Sequence, residues 1–184
     1  MQEYLIREAT ESDLAEITAL ANCYVYDKLS APERGDGFLT GRFELNAMRK
    51  MVTSANSLVT IYQQQLVGFV INSKLPHQDY PPLIQAMAQK FPAINYQNKP
   101  LTSYNYFYYG PVLVSKPHRG QGLLSRMFGQ TQKLLCGKYD IGVAFIHTQN
   151  QNSLHIHTHN LGMEVVGQFS FDENNYHILV FPVG

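Results

Sequence analysis

The stretch that most constrains this chain runs from Tyr104 to Ser115, Tyr-Asn-Tyr-Phe-Tyr-Tyr-Gly-Pro-Val-Leu-Val-Ser, and passes directly into Lys116-Pro-His-Arg-Gly-Gln-Gly122 and a helical pattern from Gly122 to Cys136. Aromatic and β-branched residues make the first part a strand. Pro111 has no N–H for a ladder and Gly110 has no side chain to pack, so pairing is interrupted there by a bulge or a bend. Glycines in the following turn let the backbone approach a ligand without Cβ obstruction. The first amides of the helix have no intrahelical acceptor, and the helix dipole adds positive character to them. Such a terminus suits a pyrophosphate, with Arg119 as an added cation. A Gly-x-Gly pair alone is a weak signal, more often only a turn. The Gly-Lys-Ser/Thr of a phosphate loop and the third glycine of a dinucleotide fingerprint are both missing.

The flanking periodicities supply the other elements. Tyr4–Arg7 reads as a strand, and Leu14, Ile17, Ala21 and Val25 recur at helical spacing behind Thr10 and Asp13, predicting a helix over Glu11–Leu29. Ala31–Gly37 reads as a mobile loop. A second amphipathic helix is expected over Arg42–Ser54, then strands Leu58–Tyr62 and Leu66–Asn72 joined by Gln63-Gln-Gln65. The proline-rich stretch at residues 76–101, with a short helix opening at Pro82, is too long for an ordinary connection. After the helix at Gly122, a strand over Ile141–His147 precedes a helix over Asn152–Leu161 stopped by Gly162. Strands Glu164–Phe171 and Tyr176–Phe181, joined through Asp172–Asn175, end the pattern. The order β-α-α-β-β-insert-β-α-β-α-β-β is that of a mixed α/β (α+β) domain.

Composition narrows the function classes. At 184 residues a single domain over residues 1–184 is the expectation, and 45% hydrophobic residues suffice for a core. Lys plus Arg number 14, as do Asp plus Glu, so the basic excess of a nucleic-acid binder is absent, and no polybasic run suggests a membrane surface. No apolar run approaches a membrane span, and Met1–Glu8 shows no signal pattern. Cys23 and Cys136 fit no ligand or redox spacing and are expected to be buried thiols of a cytoplasmic protein.

The strand, turn and helix around Arg119-Gly-Gln-Gly122-Leu-Leu124 resemble the GNAT superfamily of acyl-CoA-dependent N-acyltransferases, whose signature is Arg-x-x-Gly-x-Gly/Ala after the fourth strand. The element order extends the resemblance from Tyr4 to Phe181. Leu124 departs from the signature, standing where the family prefers Gly or Ala, and either crowds the pyrophosphate or packs into the core. The resemblance implies a mostly antiparallel central sheet flanked by helices, with the family's fourth and fifth strands splayed to admit acetyl-CoA. It implies that Val112 and Val114 hold the pantetheine arm, that an amide near Leu113 polarises the thioester carbonyl, and that Gly120, Gln121, Gly122, Leu123 and Leu124 receive the phosphates beside Arg119. Asn150, Asn152 and Ser153 would flank the pantetheine.

Catalytic assignments follow less directly. In the family a Tyr or His on the helix after the fifth strand protonates the leaving thiolate; counting from Ser153 gives His157, counting back from Leu161-Gly162 gives Thr158. The strand Tyr104–Ser115 has no carboxylate where the family often places a Glu, so the base falls among Tyr106 or Tyr108 through water and Glu33 or Asp36 on the loop. Read as a helix, the run His155-Ile-His-Thr-His159 puts His155 and His159 on one face and His157 on another, so a metal would need at least one ligand from elsewhere, such as His147; no metal is expected. The resulting expectation is an N-acetyltransferase acting on a small-molecule amine, with the insert and the segment Ser30–Phe38 walling the acceptor cleft. A peptide or protein amine is the alternative acceptor. A coenzyme-binding protein without turnover, or an interaction module on the same scaffold, are readings of a different class. The aromatic final strands leave a homodimer edge open.

Overall fold

The computed structural model describes residues 3–184. Strand β1 (Leu5–Glu8) leads through a short 3-10 turn into α1 (Leu14–Cys23), then α2 (Ala31–Gly35), α3 (Leu45–Ser54), β2 (Leu58–Tyr62) and β3 (Gln65–Ser73). The stretch that follows holds α4 (Pro82–Ala88) and a small hairpin of β4 (Asn95–Tyr96) and β5 (Lys99–Pro100). The chain continues with β6 (Tyr106–Val114), α5 (Leu123–Leu135), β7 (Ile141–His147), α6 (Gln151–His155) with a π-helical continuation over Ile156–Asn160, β8 (Glu164–Phe171) and β9 (Asn174–Pro182). The seven-stranded sheet has the order β1-β2-β3-β6-β7-β9-β8. Every neighbouring pair is antiparallel except β6 and β7. The expected mixed α/β architecture with a mostly antiparallel sheet is therefore the one observed.

Strand alternation sorts the core into two faces. On one, α5 lays Met127, Phe128 and Leu135 over Val70, Phe107, Tyr109, Ala144, Leu179 and Phe181. On the other, α1 and α3 bury Leu14, Ile17, Met48 and Met51 against Val59, Phe69 and Ile71. The proline-rich insert shares that second face, seating Tyr80, Met87, Phe91, Tyr96 and Leu101 on Tyr108, Ile141, Val143, Ile178 and Val180. Far from being a loose excursion, the insert is a compact cover for the β7–β9–β8 half of the sheet. The hairpin turns Gln63–Gln64, Gln97–Asn98 and Asp172–Glu173 place both central residues at positive φ. That is the primed geometry matching strand twist, here without glycine.

Several boundaries differ from expectation for local reasons. The first helix ends at Cys23 instead of Leu29, because Val25 leaves the helix to bridge Leu39 and a separate 3-10 turn forms at Tyr26–Lys28. The glycine-punctuated loop contains α2, started by a reciprocal cap in which the Ser30 backbone N–H and hydroxyl both donate to the Glu33 carboxylate. The Ser-x-x-Glu spacing of that cap was present in the sequence. The helix expected from Arg42 starts at Leu45. Both cysteines are exposed, correcting the expectation that they are buried. No helix among the described residues is long and apolar enough to cross a membrane.

Two positions generate direct tests. Gly142 of β7 lies under the rings of Phe181 and Phe107, and a methyl there would overlap both. Gly142→Ala is expected to destabilise the fold by about 1–3 kcal/mol, the usual cost of overpacking, read as a lowered midpoint in denaturant. Near the N-terminus, Asp13 receives a bidentate ion pair from Arg7 at 2.7 and 2.8 Å and closes the turn through the Thr10 backbone N–H. The hydrogen bonds from Arg7 foremost hold its carboxyl down to about 2, against an ordinary 3.8. A depressed folded-state value stabilises above the unfolded value and is lost as pH falls from about 4 towards 2. Asp13→Asn should flatten that part of the acid-unfolding curve, by roughly 1 kcal/mol after allowance for the half-exposed Arg7.

Candidate functional site

The site begins where β6 and β7 part. They pair in parallel over Tyr106–Tyr108 and Ile141–Val143 and no further, although both strands continue. The cause is on β6: Asn72 of β3 opposes Tyr109 and Val70 opposes Val112, so Gly110 and Pro111 form the expected bulge and turn β6 away from β7. Beyond the bulge, antiparallel pairing with β3 resumes in the register Val112↔Val70, Leu113↔Phe69 and Val114↔Gly68. The Ser115 N–H donates to the Val67 carbonyl at 2.8 Å, which makes that pair a hydrogen-bonded one. Bonded and unbonded pairs alternate, so Leu113 bonds to β3 while the backbone N–H and C=O of Val112 and Val114 point into the gap. The backbone N–H groups left free of β3 there are those of Val112 and Val114, on either side of Leu113.

The gap widens into a cavity of about 350 Å³, within the range of small-molecule sites. Its walls are Val112–Val114, the turn with Arg119, Gly120 and Gly122, the start of α5 at Leu123–Ser125, Asn150 just before α6, Asn152 and Ser153 on it, His157 in its π-helical continuation, and the segment Asp36–Leu39. Gly120 and Gly122 both have positive φ, and a Cβ built on either would meet open space. No side chain caps α5, so its first amides face that space unpaired. A phosphate-bearing group fits this cradle. Leu124 borders the cavity half-buried, whereas Leu123 is buried in the core and Gln121 is exposed outside the wall.

Arg119 is not the free cation expected from the sequence. Its Nε donates to the Val114 carbonyl at 2.9 Å and its Nη1 to the Asp36 carbonyl at 3.1 Å. Across the cleft, the Asn152 side-chain amide donates to the same Asp36 carbonyl at 3.0 Å, and that of Asn150 to the Phe38 carbonyl at 2.8 Å. Asp36–Leu39 is thus a strap laced to both walls, bending at Gly37 (φ +107). The Oδ1 of Asn150 is buried without a partner and belongs to the cavity lining, leaving an acceptor for a ligand N–H.

The titratable candidates separate clearly. His157 lines the cavity, while Thr158 is turned back on its helix, donating to the Leu154 carbonyl at 2.8 Å. Tyr108 does not reach the cavity: it is buried on the insert side against Tyr80, Tyr106 and Phe91, and burial pushes its phenol far above the ordinary value. Tyr106, half-buried, carries the Lys74 ammonium over its ring at 3.8 Å. Glu33 is held below the carboxylate range by the Ser30 hydrogen bonds that cap α2. Asp36 pairs with Lys116 at 3.3 Å. His147 bonds through Nε2 to Asn174 and through Nδ1 to the Gln149 N–H, and His155 stacks on His159 at 4.3 Å on the exposed face. No metal-suited group of three or more His, Cys, Asp or Glu residues occurs among the described residues.

Neither a protein-family model nor a curated protein matches the sequence. Solved structures match it along nearly its whole length. A GNAT-family acetyltransferase from Streptococcus pneumoniae superposes with a TM-score of 0.61 at 17% identity, covering 98% of this chain and 99% of the other. The fold is that of the GNAT N-acetyltransferases. An N-acetyltransferase from Staphylococcus aureus gives 0.63 at 14% identity, with 99% of each chain covered. NAA60 of Arabidopsis thaliana, solved with acetyl-CoA, gives 0.66 at 13%, covering 98% of this chain and 99% of the other.

The lacing of the strap gives a test independent of any ligand. Replacing both Arg119 and Asn152 by alanine removes the side-chain donors to the Asp36 carbonyl and should release Asp36–Leu39 locally. Amide hydrogen exchange in that segment is expected to accelerate at least tenfold, with exchange in β7 and β9 unchanged.

Proposed function

We propose that this protein is an N-acetyltransferase that moves the acetyl group of acetyl-CoA to an amine, most naturally that of a small molecule, by direct attack in a ternary complex. The observation that carries the reading is a continuous track: the Val112 backbone and the Val114 N–H, turned away from β3, lead to the open-faced cradle that starts at Gly120 and Gly122. A pantetheine arm is an extended chain with amides at intervals, so it can complete β6 as an added strand would. Asn150 adds an acceptor for one of its N–H groups, with Asn152 and Ser153 beside it on the same wall. The pyrophosphate then rests on the Gly120, Gly122, Leu123 and Leu124 amides with the α5 dipole behind them. Arg119 acts through the strap it holds.

The chemistry asked of the chain is modest. A thioester is already activated; an amide N–H from Val112 or Val114 aimed at its carbonyl would stabilise the developing oxyanion by about 3 kcal/mol. The acceptor must arrive as a free amine, although a lysine-like amine has a pKa of ~10.4, so the site must take a proton from it. His157 is the imidazole in the cavity wall and is the residue we assign to proton handling. We place the acceptor on the face shared by α1, α3 and the insert, between the strap and the end of β7. The insert, within one domain spanning the chain, closes that face below the bulge. Among the cavity-lining residues Asp36 is the one carboxylate, and it is paired with Lys116, which favours an acceptor that is not strongly cationic.

Calorimetric titration with acetyl-CoA tests this reading. Wild-type protein is expected to bind at micromolar levels, and Gly122→Glu, which sets bulk and negative charge in the phosphate cradle, to lose at least a hundredfold while keeping its circular dichroism spectrum. Absence of binding by the wild type would refute the reading. Binding without transfer to any amine in a broad acceptor screen would leave a coenzyme-binding protein.

A further inference from the structure

We infer that His157 enters acyl transfer as a neutral proton acceptor through Nε2, and gives a proton to the departing sulfur only after collecting one from the acceptor nitrogen. The inference rests on the acetyltransferase reading above. Its geometric basis is the other ring nitrogen. Nδ1 lies 2.8 Å from the carbonyl oxygen of Ser153, four residues back on the same helix. A carbonyl can only accept, so Nδ1 carries the hydrogen. A neutral imidazole has one N–H, which leaves Nε2 with a lone pair. Nε2 has no hydrogen-bond partner among the described residues, and the ring, only 8% exposed, belongs to the cavity wall.

The surroundings favour the uncharged ring. Burial lowers the imidazole pKa below its ordinary value, opposed only by the Ser153 carbonyl. From β6 the titratable neighbour is Tyr109, ring centroid 6.1 Å away, a phenol that burial keeps protonated. From α5 the cavity receives Leu123, Leu124 and Ser125, which carry no charge. The charged cavity residues are Asp36 of the strap, paired with Lys116, and Arg119, engaged with two carbonyls. His155 and His159 of the same helix are exposed and stacked on each other. No free carboxylate is placed to hold His157 as a cation.

A histidine in that state has no proton to give the departing sulfur at the outset, but it can collect one. As the acceptor nitrogen attacks the thioester carbonyl carbon, the C–N bond forms and the C–S bond breaks. The proton released from the nitrogen passes to Nε2, and the Nδ1–H bond to Ser153 steadies the imidazolium. The imidazolium then delivers the Nε2 proton to the thiolate sulfur, giving the free thiol of coenzyme A and restoring the neutral ring. For an amine that reaches the thioester uncharged, its first proton already lost to solvent, the balance needs no further reactant.

Long-range proton–nitrogen NMR on the full chain, labelled with nitrogen-15 in its histidine rings, reads this directly. His157 is assigned by comparison with His157→Gln, or by its insensitivity to paramagnetic quenchers if that variant fails to fold. At neutral pH the expected pattern is a protonated Nδ1 with a bare Nε2, the ring charging below the ordinary imidazole value. Added coenzyme A should shift the Nε2 resonance through its thiol, and desulfo-coenzyme A should not. A ring whose single proton is on Nε2, or one protonated on both nitrogens at neutral pH, with coenzyme binding intact, overturns the proton-acceptor role and spares the acetyltransferase reading. The expected tautomer without binding of either coenzyme overturns that reading and the role together. An Nε2 shift identical for both coenzymes overturns the role alone.

Discussion

The departure of β6 from β7 beyond Tyr108 and Val143 is the constraint on which the other features depend. A sheet that stays paired hides its backbone groups; one that opens leaves them unsatisfied unless something else pairs with them. The opening is held at both ends. On the closed side, Phe107 and Phe181 press over Gly142 with no room for a Cβ. On the open side, the two-residue bulge at Gly110–Pro111 redirects β6, and renewed pairing with β3 fixes its new course. Between those ends the groups of Val112 and Val114 point at a cavity rather than at a strand.

That cavity is finished by polar side chains which bind the protein's own backbone. Arg119, Asn150 and Asn152 each hold a carbonyl of the Asp36–Phe38 segment, bringing a piece of chain from before α3 across a cleft formed by elements after β3. The wall is thereby built from distant parts of the sequence. On the proposed reading its binding surface is mainly backbone, at Val112, Val114, Gly120 and Gly122–Leu124, with Asn150 and His157 adding side-chain acceptors. Such a site positions a cosubstrate by geometry and demands little of side-chain chemistry, as suits a reaction whose acyl donor is already activated.

Much of this was legible in the sequence, unevenly. The boundaries of β2, β7 and β8 coincide with their hydrophobic runs, because alternation and β-branching are local signals. The break at Gly110–Pro111 was readable because proline cannot join a ladder wherever it lies. The short α2 was masked by Pro32, Gly35 and Gly37, although the Ser30–Glu33 spacing announced its start. The first helix overran because Val25 fits a helical period equally well, and only its bridge to Leu39 decides otherwise. The buried-cysteine expectation failed for a similar reason: Cys23 and Cys136 lie just at helix ends, where exposure depends on what packs beyond.

The candidate site divides along the same line. By itself the sequence determined the strand, the glycine turn and the helix that make the cradle, since φ restrictions and unpaired helical amides belong to a handful of consecutive residues. The resemblance, and not the sequence by itself, brought His157 forward as a candidate acid, with Thr158 beside it. Only the tertiary structure decided that Tyr108 belongs beneath the insert and not in the cavity, because the alternation that separates it from Tyr109 acquires meaning once each sheet face has its cover. Only the tertiary structure engaged Arg119 with the strap, and only the helix geometry set Nδ1 of His157 against the Ser153 carbonyl. Those outcomes are set by which groups meet across the fold, and a hydrogen bond between distant residues leaves no trace in their spacing.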